Sequence, residues 1–152
     1  MLGVAVATAA SGALAALLWH AARTPAGVCI GTAPATVQAR VPTTAFTLAW
    51  MHSVEKIRWE EDYRVDAGKL VLSAARVRGS GAGMEPPEGA ALRDGVWEYR
   101  PAQTEFPMLR LTRSPYTSDY EMCWDAQCRE FTTLVGRPGA GETIDVFPCP
   151  FD

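Results

Sequence analysis

A strict two-residue alternation from Ala45 to Val65 restricts the fold of this chain more than any other feature. Phe46, Leu48, Trp50 and His52 share one face of an extended segment, and Thr47, Ala49, Met51 and Ser53 take the other. Only a strand sends successive side chains to opposite faces; a helix would split this set, with Leu48 and His52 on the side away from Phe46 and Trp50. After the turn residues Val54-Glu55-Lys56-Ile57 the alternation resumes, with Trp59, Glu61, Tyr63 and Val65 opposed to Arg58, Glu60, Asp62 and Arg64. The two runs read as a β-hairpin with one aromatic and one charged face. His52 and Glu61 both continue the aromatic face, where an unpaired polar group is costly, and the hairpin is expected to bring them near each other.

Short apolar runs separated by Gly and Pro continue along the chain. Strands are expected at Val28–Ile30, Thr36–Val41, Ala45–Val54, Arg58–Val65, Leu70–Arg78, Val96–Tyr99, Leu109–Thr112, Tyr120–Trp124, Gln127–Thr132 and Thr143–Phe147. No helical period persists over three turns after residue 25. The expected fold class is all-β: a compact β-sandwich or open barrel of about eight to ten short strands, preceded by one N-terminal hydrophobic helix. At 152 residues the chain suits one domain of ordinary size.

Residues 2–19 carry no charge, and Arg23 and Pro25 close that run. Residues 1–26 therefore read as a signal peptide or a membrane anchor, and residues 27–152 as a single β domain. Small residues at Thr24-Pro25-Ala26 suit cleavage before Gly27, whereas the missing basic start counts against a standard signal peptide. Uncleaved, the segment would hold the domain to a membrane. The four cysteines agree with export. Cys123 and Cys128 flank a four-residue stretch, so a two-residue turn at Asp125-Ala126 would set them opposite each other on paired strands, close enough to bridge. Cys29 and Cys149 would then tie the two ends of the domain together. Zinc is the weaker reading, because the spacing lacks a second matched pair or nearby histidines. The expected location is the cell envelope on its extracytoplasmic side. A net charge of −3 without a basic stripe argues against nucleic acid, and no motif calls for a cofactor or a metal.

Two constellations carry the chemistry. The first is His52, Ser53, Glu55 and Glu61, with Glu60 as the out-of-phase alternative: a histidine held by a carboxylate can exchange a proton near neutral pH or bind a ligand. The competing reading is a His–Glu hydrogen bond that merely closes a strand end. A Ser-His-acid triad is disfavoured, since Ser53 follows His52 directly on a strand and points to the opposite face. The second is the loop Gly79-Ser80-Gly81-Ala82-Gly83-Met84-Glu85-Pro86-Pro87, whose glycines let backbone amides approach a ligand. It is neither a dinucleotide fingerprint nor a Walker A loop, and an irregular connection is the plainer explanation. Arg76 and Arg78 precede it and are candidates to balance carboxylates or hold an anion. No catalytic residue is assigned.

The stretch Phe46 to Val65, containing His52-Ser53-Val54-Glu55-Lys56 and then Glu60-Glu61, and the later Gly81-Ala82-Gly83 with its prolines resemble the bacterial and archaeal family called domain of unknown function 1850. Cys123 and Cys128 lie outside that pattern. The resemblance implies an uncharacterised envelope domain accessory to tripartite (TAXI-type TRAP) solute-uptake transporters, with transporter membrane subunits or the solute-binding protein as partners. It places a polar or ligand-binding site at His52, Ser53, Glu55, Lys56, Glu60, Glu61, Gly81, Ala82 and Gly83, beside Arg78. The first expectation is thus a binding and assembly domain. The alternatives are an envelope hydrolase using His52 with Glu55 or Glu61, and a purely structural β-module.

Overall fold

The computed structural model describes residues 26–32, 36–79 and 85–150. Residues 1–25 of the segment read as a signal peptide or anchor, and Gly81, Ala82 and Gly83, lie outside the described residues. Among the described residues twelve strands follow in order: β1 (Ala26–Thr32), β2 (Thr36–Val41), β3 (Ala45–Met51), β4 (Arg58–Asp66), β5 (Lys69–Val77), β6 (Ala91–Arg93), β7 (Val96–Tyr99), β8 (Glu105–Phe106), β9 (Leu109–Arg113), β10 (Glu121–Trp124), β11 (Gln127–Glu130) and β12 (Glu142–Pro150), with a short helix, α1 (Phe131–Val135), before β12.

Two antiparallel sheets divide these strands. The smaller runs β2-β1-β12-β9; the larger runs β11-β10-β3-β4-β5-β7-β6, with β8 also paired to β5. Their apolar faces close on one core. Val28 and Ile30 of β1 and Ile144 and Val146 of β12 come from the small sheet, and Phe46, Leu48, Leu72 and Met122 from the large one. This is a sandwich rather than a barrel, because the order of each sheet is open at both ends. Outside the small sheet the arginines act as lids. Arg110 bonds the buried Asp145 at 2.8 and 3.1 Å, and Arg40 reaches Cys29 Sγ and the carbonyl of Pro150. Where β1 turns into β2, Gly31 is obligatory: a Cβ there would stand 1.9 Å from the Thr36 carbonyl oxygen.

Three hairpins close through two-residue turns whose residues both have positive φ: Ala67-Gly68 between β4 and β5, Asp94-Gly95 between β6 and β7, and Asp125-Ala126 between β10 and β11. Such turns match the twist of the strands they join. The last sets Cys123 opposite Cys128, and the disulfide between them spans a Cα–Cα distance of 4.0 Å. Cys29 and Cys149 also form a disulfide, at a Cα–Cα distance of 5.8 Å on paired strands β1 and β12.

Beyond shifts at several strand ends, the elements differ from expectation in three ways that matter. The third strand stops at Met51 instead of Val54, because His52 turns the chain. The strand expected over Gln127–Thr132 ends at Glu130, and Phe131 begins a helical turn that drives its fully buried ring into the core. The strands β6 and β8 are too short for alternation to reveal.

Candidate functional site

The β3–β4 register decides which polar groups meet. Phe46 pairs with Tyr63, Leu48 with Glu61, Ala49 with Glu60 and Trp50 with Trp59. Consecutive carboxylates Glu60, Glu61 and Asp62 therefore alternate between two unlike environments.

Glu60 and Asp62 face outward, where arginines saturate them. Arg58 bonds Glu60 at 2.7 Å and Glu121 at 2.6 Å. Arg76 bonds Glu60 at 3.1 Å and grips Asp62 with both terminal nitrogens, while Thr47 donates to Asp62 at 2.7 Å. Partial burial pushes both carboxyls up, but the arginine hydrogen bonds and charges outweigh it and hold them below their ordinary values. The bond to Asp62 raises Arg76 further above its own. This chain of matched charges links β10, β4 and β5, with the Thr47 hydroxyl of β3 bonded into it, and ties the strands side by side.

Glu61 faces the interior between two cross-strand aromatic pairs. Phe46 stacks on Tyr63 at 5.4 Å and Trp50 on Trp59 at 5.6 Å. One carboxylate oxygen of Glu61 accepts the indole N–H of Trp59 at 3.3 Å; the other accepts the Tyr63 hydroxyl at 2.5 Å. Burial and the neighbouring Glu61 charge hold the Tyr63 phenol well above its ordinary pKa, so it remains a proton donor. The carboxylate borders a cleft of about 390 Å³ shared by Trp50, Tyr63, Phe106, Met108 and Tyr120, with β9 along its other side.

The expected meeting of His52 with Glu61 does not occur. Glu61 lies opposite Leu48, four residues back from His52, or about 13 Å of strand. His52 instead organises the hairpin end. Its N–H donates to the Ile57 carbonyl at 2.8 Å, its carbonyl accepts Lys56 N–H at 3.0 Å, and its Nδ1 accepts the backbone N–H of Glu55 at 3.3 Å. It is thus the backbone of Glu55, not its carboxylate, that meets the imidazole. Ser53, Glu55 and Lys56 are exposed. A groove of about 300 Å³ runs from His52 and Ser53 to Ser114, Thr117 and Ser118. Arg78 is exposed and bonds Arg58 only through its backbone; Arg76 is the arginine that joins the ion-pair chain. The start of the glycine loop does lie beside this end, since a Cβ on Gly79 would come within 3.3 Å of Ile57.

One polar centre escapes sequence reasoning. The Arg113 side chain is wholly buried, donating to Asp119 at 3.0 and 2.7 Å, to Glu142 at 3.2 Å and to the Gly136 carbonyl at 2.7 Å. Thr132 also donates to Asp119, at 2.7 Å. Its members are scattered from 113 to 142, and no local pattern joins them. By contrast, the Trp59-Glu61-Tyr63 triad was legible as three residues on one face of one strand.

Two antiparallel sheets, disulfide staples and an interior carboxylate among aromatic rings define a disulfide-bonded β-sandwich protein of an oxidising, extracytoplasmic compartment. The chain belongs to the family described as Domain of unknown function (DUF1850), whose model matches residues 46–131. No curated protein matches the chain, and no solved structure does.

Proposed function

We propose that this domain is an extracytoplasmic binding and assembly module, accessory to a tripartite solute-uptake transporter of the TAXI type. Its partner is a membrane subunit of the transporter or the solute-binding protein. The observation behind this reading is the exposure of the hairpin end. The segment His52-Ser53-Val54-Glu55-Lys56 carries the most distinctive part of the family resemblance, yet the side chains of Ser53, Glu55 and Lys56 make no hydrogen bond or ion pair among the described residues. Val54 projects with 69% of its surface exposed. The turn itself is held by backbone bonds, the His52 imidazole and a left-handed Lys56, φ 55°. Side chains that the fold does not use are available to another molecule, and an exposed apolar residue followed by two opposite charges suits a protein contact.

The test is affinity capture from native membranes, comparing wild type with the double variant Val54→Asp, Lys56→Glu. Both substitutions fall on exposed positions, so the melting temperature should stay the same. Transporter subunits should be recovered with wild type and lost with the variant. Equal recovery with both, or no transporter subunit with either, would reject the reading.

A further inference from the structure

Glu61 differs from its neighbours in what neutralises it. Glu60 and Asp62 are each held by arginine. No cation among the described residues pairs with Glu61, whose oxygens receive only the neutral donors of Trp59 and Tyr63. A carboxylate has roughly four acceptor positions, so these two bonds orient the group and leave capacity free. Arg110 also borders the cleft, but Asp145 engages its guanidinium at 2.8 and 3.1 Å. Of the three consecutive carboxylates of β4, Glu61 is thus the one that no cation among the described residues neutralises.

The surroundings are aromatic. Trp50, Tyr63, Phe106 and Tyr120 border the same cleft as Glu61, with the Trp50 and Tyr120 ring centres 6.1 Å apart and those of Tyr63 and Phe106 6.2 Å apart. The faces of such rings attract cations, and the attraction grows where water is thinned. The cleft has a route for a ligand: β9 is the edge strand of the small sheet, so its outer side is not sealed by another strand of that sheet. A volume of about 390 Å³ lies within the range of small-molecule sites. Metal ions fit poorly, since no group of acidic, histidine or cysteine side chains that could hold one occurs among the described residues.

We infer that the cleft beside Glu61 binds a small alkylammonium cation, primary or quaternary, with Glu61 as counter-ion and Trp50, Tyr63, Phe106 and Tyr120 as its aromatic walls. A primary ammonium donates to the unused acceptor positions of Glu61; a quaternary one relies on its charge and the ring faces. The site shares Trp50 and Tyr120 with the groove that starts at His52 but does not depend on the transporter reading.

The test follows the indole N–H resonance of Trp59 in the purified full chain, assigned with Trp59→Phe. Choline and n-butylammonium are titrated beside their neutral counterparts, 3,3-dimethyl-1-butanol and 1-butanol. At least one cation should shift the resonance saturably below about 10 mM, with its neutral counterpart at least about tenfold weaker. Glu61→Gln keeps an acceptor for Trp59 and removes the charge; once its fold is verified by its melting curve, it should weaken the cation about tenfold or more. Should that variant fail to fold, Trp50→Leu supplies the second arm, and the comparison of isosteres needs no variant. Saturation by neither cation, equal binding of the neutral counterpart, or unchanged cation binding in folded Glu61→Gln would each overturn the inference.

Discussion

Arg113 shows how one side chain can govern several distant segments. It sits at the end of β9 yet holds Asp119 in the following loop, Glu142 at the start of β12 and the carbonyl that ends α1. Asp119 in turn receives Thr132 and the backbone N–H of Tyr120. Burial pushes the Asp119 carboxyl up, but these bonds and the Arg113 charge bring it below its ordinary value. A buried pair of this kind adds little over an apolar replacement of the same shape, whereas removing one partner strands a buried charge. Arg113→Ala should therefore destabilise the domain by about 3–5 kcal/mol, a loss that urea unfolding would measure. A change below about 1 kcal/mol would mean that water readily replaces the guanidinium.

At the scale of elements, the β10–β11 hairpin is held by a covalent bond in spite of its turn chemistry. Asp125 and Ala126 have φ of 47° and 61°. Asp tolerates the left-handed region, but alanine there costs roughly 1–2 kcal/mol through contact of its Cβ with the backbone. The other two positive-φ turns place glycine at the second position. Ala126→Gly removes the penalty and returns roughly 0.4–1 kcal/mol to the unfolded chain as flexibility. The net expectation is stabilisation by about 0.5–1 kcal/mol, read as a higher melting temperature; a lower one would show that the alanine methyl makes compensating contacts. The helical turn α1 is a different lesson. Gln127 to Thr132 reads as one strand, but Phe131 is drawn into the core beside Tyr120, at a ring distance of 5.9 Å. Burial of a whole aromatic side chain outweighs the local preference for extension.

Across the whole molecule, the disulfide Cys29–Cys149 joins residues 120 apart in sequence and staples β1 to β12 at the middle of the small sheet. By closing so long a loop it restricts the unfolded chain far more than the short Cys123–Cys128 bridge does. Replacing both Cys29 and Cys149 with alanine should cost about 2–5 kcal/mol of stability, measured by chemical unfolding without reductant. The same double replacement at Cys123 and Cys128 should cost less; a reversal of that order would show that native-state contacts, not chain entropy, dominate.

Much was determined by the sequence alone. The alternation from Phe46 to Val65 specified a hairpin with one aromatic and one charged face, and the positions of glycine, proline and cysteine marked most strands and both disulfide partners. These signals are local: they follow from side-chain period, turn conformation and residues set opposite across a tight turn. What lay between elements was decided only by the tertiary structure. The register placed Glu61 opposite Leu48 and away from His52, because a strand pair advances a fixed distance per residue and the hairpin end consumed His52 to Ile57. The fold likewise gathered Arg113, Asp119 and Glu142 into one buried centre and left Glu61 in an aromatic cleft with no cation beside it among the described residues. Which charges meet depends on how sheets stack, and stacking is settled by the summed burial of the core rather than by any short stretch of chain.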